Sequence, residues 1–419
     1  MKRDKFWTAA SRVLAVATVT LIVILVLAPG ASAASYKVLY QFTGGGDGSS
    51  PSATLVFDAS GALYGTTNWG GCCNSGTVFQ LVPNGDGTWT KNTLYSFTAG
   101  TEWGGVMSKV IFDGSGNLYG TTLGGGDYGG GTVYELTPNL DGTWSETVLH
   151  SFNGSDGSFP VGDLLIDATG TLYGTTARDG AYGHGVVFKV APNSDGTWTE
   201  TTIHDFEGSD QGGYPDSGGL ILDAAGNMYG VTAGWFGGDS NGTVYELTPN
   251  SDGSWTHTVL HSFLGGKDGS IAEGTLIFDQ HGNLYGVTWA DGAYGHGTAF
   301  KLTQGSGGKW RKSVLHNFKG GKDGSELNAG LIFDAAWTLY GMTVGGGGGR
   351  CQAWGTQGCG TVFKLTRAPK GGWAEHIMHR FRGPAGGNPG GGLVARDSKF
   401  YGATGGDSSI NGSVFEITP

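Results

Sequence analysis

Charge is scarce in this sequence: Asp, Glu, Lys and Arg make up 14% of 419 residues, and there are only 12 Pro, five Met and four Cys. Beyond the first thirty-odd residues no long apolar run occurs, so the remainder offers nothing to span a bilayer. No phosphate-binding loop, zinc-ligand spacing or Ser/His/Asp order is visible. The Gly124-x-Gly126-x-x-Gly129 match to a dinucleotide fingerprint fails because a strand, not a helix, follows it. What is abundant is glycine, with 83 residues against roughly 7% in ordinary proteins. The absence of a Gly-X-Y period excludes collagen, and 12% aromatics argue against a disordered chain. Glycine costs about 1 kcal/mol per helical position relative to alanine, so strands and turns are expected.

Residues 1–33 read as a secretory signal. Lys2, Arg3, Lys5 and Arg12 precede an apolar stretch from Val13 to Ala28, and Ala31-Ser32-Ala33 supplies small residues for cleavage after Ala33. Sixteen apolar residues fall short of the ~20 that cross a bilayer. Residues 34–419 are therefore expected to be exported, periplasmic or extracellular, without membrane insertion. Removing four basic residues and one acid takes the charge from −11 to −14.

A single pattern recurs through residues 34–419: an apolar pair and Asp, a turn, Leu-Tyr-Gly-Thr-Thr, a glycine-rich loop, Gly-Thr-Val-Phe-Glu-Leu-Thr-Pro, an Asn/Asp-Gly turn, and a segment opening on Trp. Its Tyr falls at 64, 119, 173, 229, 285, 340 and 401, spaced 55, 54, 56, 56, 55 and 61 residues apart. In the second unit the strand-like runs are Val110–Asp113, Asn117–Thr122, Thr132–Leu136 and Trp144–Phe152. Four strands in about 55 residues is the arithmetic of a propeller blade. The last unit stops after its third strand at Gly412–Pro419, while Tyr36–Phe42 matches the missing fourth. The expectation is all-β: a single seven-bladed β-propeller of four-stranded blades over 34–419, closed by the N-terminal strand completing the last blade.

Most repeated residues read as structural. Asp58, Asp113, Asp167, Asp223, Asp279, Asp334 and Asp397 end the first strands and are expected to accept backbone N–H bonds from the turns they enter. His150, His204, His261, His316 and His379 share one fourth-strand position with Tyr40 and Tyr95, which suggests packing.

Asn117-Leu118-Tyr119-Gly120-Thr121-Thr122 followed by Gly131-Thr132-Val133-Tyr134-Glu135-Leu136-Thr137-Pro138 resembles the GloVer tandem-repeat proteins, also called choice-of-anchor proteins. The resemblance covers all seven units. It implies an exported bacterial repeat protein of the propeller type, with no established activity and no catalytic residue to carry over. Members are noted for varied C-terminal sorting signals, and this sequence shows none after Pro419. More loosely, Asp-x-x-Gly-Asn-Leu-Tyr resembles turns of lactonase- and lyase-type propellers, which bears on fold and not on function.

Function is expected where the units differ. The loop from second to third strand and the crossing to the next blade both vary, and both are expected on one face. They carry the candidate ligand-binding aromatics Trp69, Trp103, Tyr128, Tyr182, Trp235, Trp289, Tyr294 and Trp354, with Phe159, Tyr214 and Phe236 among them. Aromatic faces stack on sugar rings or anchor peptides. The alternative is that they fold inward as lids over the blade tips. Crossing loops also carry Asp47, Glu102, Asp156, Asp210, Asp268 and Asp323. These are expected to make turns, with a Ca²⁺-binding set of Asp47, Asp156, Asp268 and Asp323 as the alternative.

Residues 301–400 hold 14 Lys and Arg against five acids, a clue to association with an acidic partner; the overall charge speaks against nucleic acid. Four cysteines suit an oxidising compartment. Cys351 and Cys359 bracket one loop, where a disulfide contributes roughly 2–3 kcal/mol, whereas a bond between adjacent Cys72 and Cys73 is strained. The leading expectation is a monomeric, non-catalytic binding propeller for a glycan or protein ligand. An enzyme of lyase or lactonase type with a cation at the channel mouth is the first alternative, although no catalytic constellation is found, and a structural envelope protein is the second.

Overall fold

The structure, a computed structural model, describes residues 34–98, 105–215, 218–234, 240–353, 356–383, 386–406 and 411–419; the expected signal at 1–33 lies outside them. Seven antiparallel four-stranded sheets follow one another as blades of a β-propeller, six of them with their strands in chain order. Blade one consists of Val56–Phe57, Leu63–Thr67, Thr77–Pro83 and Trp89–Ser96. Blade seven takes Val394–Arg396, Lys399–Thr404 and Ser413–Thr418 from the C-terminus and Ser35–Gln41 from the N-terminus. The ladder runs from Ser35 opposite Thr418 to Gln41 opposite Ser413. The expected closure is thus present, shifted by one residue. Among the described residues no helix is long and apolar enough to cross a membrane.

The blades share no single core. Each buried cluster lies in a seam between neighbours: Tyr64 and Val78 of blade one pack with Leu118, Tyr134 and Leu136 of blade two. The glycine of Leu-Tyr-Gly has a steric reason. A Cβ on Gly174 would stand 2.6 Å from Cζ of Phe188, so the tip of the third-strand ring fills the space a side chain would need. At the inner edge the runs before the first strands touch from blade to blade, as in the Gly392 N–H donating to Thr54 Oγ1 at 2.7 Å and the Lys109 N–H to Asp163 Oδ1 at 3.0 Å.

Six of the seven first-strand aspartates behave as expected. Asp167 accepts the N–H groups of Thr169 and Thr171 and the hydroxyl of Tyr173. Asp397 differs. It sits at φ 51 beside Ser398 at φ 62 in a two-residue turn, and its side chain is 87% exposed. Blade seven has no room for the longer turn, because only two residues join its first strand to its second.

Every fourth strand leaves one residue unopposed just before the His/Tyr position, for example Leu149 between partners of Val133 and Tyr134. The bulge breaks the alternation of faces, which is why Val148 is 48% exposed while Leu149 is buried.

Candidate functional site

The two variable connections lie on one face, held together blade by blade. Each crossing loop hydrogen-bonds to the second-to-third-strand loop that follows, as in the N–H groups of Gly71, Gly180, Gly292 and Gly347 donating to the carbonyls of Gly45, Gly154, Gly266 and Gly321. Glu102, Trp103, Trp235, Phe236 and Trp354 lie outside the described residues. Of the other candidate aromatics, Tyr128, Tyr182, Tyr294 and Trp69 are 68%, 56%, 55% and 40% exposed, and Trp289 is half-buried.

Local backbone explains the exposed tyrosines. In Asp179–Gly185, positive φ at Asp179, Gly180, Gly183 and Gly185 curls the loop back on itself, and the Gly185 N–H donates to the Asp179 carbonyl. Asp205 accepts the Ala181 N–H at 2.8 Å. In the matching loop of blade five Asn317 accepts from Ala293 at 2.8 Å. The loop is pinned at its base and Tyr182 stands at its crest. His184 turns sideways, its Nδ1 3.0 Å from the Tyr214 hydroxyl. Beside it lies a hollow of about 360 Å³ lined by His184, Glu207, Ser209, Tyr214 and Ser240.

The seams hold a second set of polar groups that repeat reasoning passes over. The fourth-strand His does pack: His150 meets Phe152 edge-on at 4.8 Å. It also hydrogen-bonds. His150, His261 and His316 place Nε2 2.9, 3.0 and 3.2 Å from Oδ2 of Asp156, Asp268 and Asp323, and Tyr40 donates to Asp47 at 2.9 Å. Asp156, Asp268, Asp323 and Asp47 also each accept a backbone N–H of their own turn, from Asn153, Leu264, Lys319 and Thr43 respectively. The four carboxylates considered for Ca²⁺ are thus each engaged in a separate seam.

A third residue enters each seam from the next blade's fourth strand, two positions after its opening Trp. It is Lys91, Glu146, Glu200, His257, Lys312 and Glu375 in blades one to six, and Tyr36 in blade seven. Lys91 and Lys312 each bridge to Asp47 and Asp268 at 3.0 Å with side chains only 4% exposed. Burial alone would raise Asp268, but the Lys312 ammonium and the Leu264 N–H outweigh it and hold the carboxyl below its ordinary range. Glu146 accepts the Tyr95 hydroxyl at 2.8 Å. Glu200 accepts only a long bond from the Thr202 hydroxyl, at 3.3 Å, and Glu375 shares a hydrogen bond with Asp323; burial first, then the neighbouring aspartate, pushes them up to about 7 and about 8. The only sequence signal was that this one position changes charge from unit to unit.

Between blades three and four two histidines meet, His204 stacked on His257 with centroids 4.2 Å apart. Burial holds His204 below its ordinary value and His257 down to about 4. Both are neutral when folded, while the unfolded chain takes up protons below about 6.5. Stability from this seam is therefore present above that value and lost as pH falls toward about 4. Replacing the pair by His204→Tyr with His257→Glu copies the Tyr95–Glu146 seam. Thermal melts should then show a drop between neutral pH and about pH 4.5 that is smaller by a few degrees; an unchanged acid limb counts against this account.

Cys351 and Cys359 form the expected disulfide, Cα atoms 4.9 Å apart. Cys72 and Cys73 are free, exposed thiols with sulfurs 2.8 Å apart.

The family model described as the Gloeobacter/Verrucomicrobia repeat matches residues 24–139, 107–353 and 217–419 in overlapping spans. No curated protein matches the chain. Among solved structures, virginiamycin B lyase from Staphylococcus aureus aligns at a TM-score of 0.55 with 12% identity, covering 92% of this chain and 99% of the lyase. A putative oxidoreductase (glucose dehydrogenase) from Thermus thermophilus aligns at 0.42 with 15% identity, over 74% of this chain and 94% of the other. At such identities the lyase likeness is one of fold.

Proposed function

We propose, for a chain that belongs to the Gloeobacter/Verrucomicrobia repeat family, that it is an exported, non-catalytic binding propeller whose variable rim recognises a glycan. The observation that carries this reading is the display of Tyr128, Tyr182 and Tyr294 on one face, each more than half exposed in a glycine-rich loop. Solvent gains nothing from three phenol rings held up by loops pinned at their bases, whereas sugar rings stack on such faces. The hollow beside His184 is of the order of a single sugar in size, and Glu207, Ser209 and Ser240 line it with hydroxyl and carboxylate groups. Cysteine pairing at Cys351 and Cys359 is in keeping with an oxidising compartment.

The test is a binding screen of the full chain against glycans and cell-wall polymers, beside a Tyr128→Ala, Tyr182→Ala, Tyr294→Ala variant. These side chains are exposed, so the variant should melt close to the parent. Affinity should fall roughly three- to tenfold per ring that contacts the ligand. Glycan binding that survives all three substitutions moves the site off these loops. No glycan binding by the parent ends the glycan reading and leaves a protein ligand.

A further inference from the structure

We infer that two of the seven seams bind a divalent transition-metal ion: His150, Asp156 and Glu200 between blades two and three, and His316, Asp323 and Glu375 between blades five and six. In each set one ligand atom per residue lies within 4.8 Å of the other two. Two ligands about 2.1 Å from one ion at 90–109° stand roughly 3.0–3.4 Å apart. The His–Asp separations of 2.9 and 3.2 Å are of that size. One imidazole nitrogen with two carboxylates suits Zn²⁺, Co²⁺ or Mn²⁺, and the imidazole disfavours Ca²⁺.

Two of the other seams show that this position can hold a positive charge. In the equivalent place Lys91 and Lys312 hold an ammonium group against the carboxylate and the backbone carbonyl of Asp47 and Asp268, with the Lys312 Nζ also 5.0 Å from the Phe263 ring centre. In the seams of Glu200 and Glu375 the aspartate stays and the lysine is absent. In the second seam Glu375 Oε1 is shut off from solvent with no hydrogen-bond partner, a costly state for a buried polar atom, while the same carboxyl shares a hydrogen bond with Asp323. Arg380 does not meet the need directly, because its Nε donates to the Lys322 carbonyl at 3.1 Å. Asp156 is pre-oriented, its Oδ1 fixed by the Asn153 N–H at 2.9 Å and its Oδ2 toward the imidazole, whereas Asp323 takes both the Lys319 N–H and His316 on Oδ2. His side chains 19% and 15% exposed leave a path for an ion and its remaining waters. The bound ion would then clip adjacent blades as the Lys–Asp bridges do elsewhere in the ring.

The experiment uses the full chain, stripped with a chelator, in a Cys72→Ser, Cys73→Ser background so that the exposed thiols cannot bind metal. Equilibrium dialysis against Zn²⁺ and Co²⁺ with elemental analysis should find two ions per chain, and melting should rise on loading. Glu200→Gln should leave one ion, and Glu200→Gln with Glu375→Gln none. Glu375→Lys, which copies blade five, should remove its ion while the protein stays folded and keeps its metal-free melting temperature or exceeds it. Sub-stoichiometric binding at saturating metal overturns the inference, as does binding of two ions by the double variant.

Discussion

Phe42→Ala is expected to cost about 3–5 kcal/mol, the range for truncating a buried aromatic, and to change the character of unfolding as well as its midpoint. Phe42 follows the N-terminal strand directly, is 2% exposed, and meets Phe79 edge-on at 5.1 Å. Its cluster joins Leu39, Tyr401 and Val414 of blade seven to Leu55, Leu63, Phe79 and Leu81 of blade one. Phe152 occupies the equivalent place between blades two and three, where chain connectivity holds the blades together whatever happens to packing. At the closing seam packing and one strand ladder carry that task, and losing them frees the edge of Ser413–Thr418. Urea unfolding of Phe42→Ala beside Phe152→Ala checks the point. Similar losses in free energy are expected, with a lower m-value or a separate early transition for Phe42→Ala alone. A loss under about 1 kcal/mol for Phe42→Ala would mean that closure does not depend on this ring.

Gly391→Ala is expected to cost about 2–3 kcal/mol by overpacking, although an alanine there meets no forbidden backbone angle. A Cβ on Gly391 would lie 2.3 Å from the carbonyl carbon of Ala53 and 2.4 Å from the Thr54 nitrogen. Those atoms are backbone of the neighbouring blade and cannot rotate away. Relief requires the two inner segments to part, against the Gly392–Thr54 hydrogen bond in the same seam. Gly114→Ala is the control, since nothing lies within 4 Å of its Cβ position; it should be neutral or stabilising by up to about 1 kcal/mol through the unfolded chain. Denaturation curves that place both variants together would show that the inner ring yields easily.

Much of the architecture was legible because it rests on local chemistry repeated seven times. The Asn/Asp-Gly turns and the Leu-Tyr-Gly-Thr strand mark blade boundaries without knowledge of neighbours, and the second-unit runs agree with the observed Ile111–Phe112, Leu118–Thr122, Thr132–Pro138 and Trp144–Ser151 to within two residues at each end. Even ring closure was readable, since Tyr36–Phe42 carries the pattern that the last unit lacks. Asp397 escaped, because its turn length depends on one missing stretch and not on the Asp itself.

By itself the sequence determined seven blades, their closure, the turn-capping aspartates and the Cys351–Cys359 pairing, all properties of segments close in the chain or identical between units. Only the tertiary structure decided what the seams contain. Glu200 is 50 residues from His150 and 44 from Asp156, and Glu375 is 59 from His316, so no local pattern joins them. The same holds for the rim: Tyr128 and Phe159 read alike as loop aromatics, yet one is 68% exposed and the other lies half-buried beneath the Arg178 guanidinium. Packing between blades makes that choice, because exposure belongs to a side chain and its neighbours together.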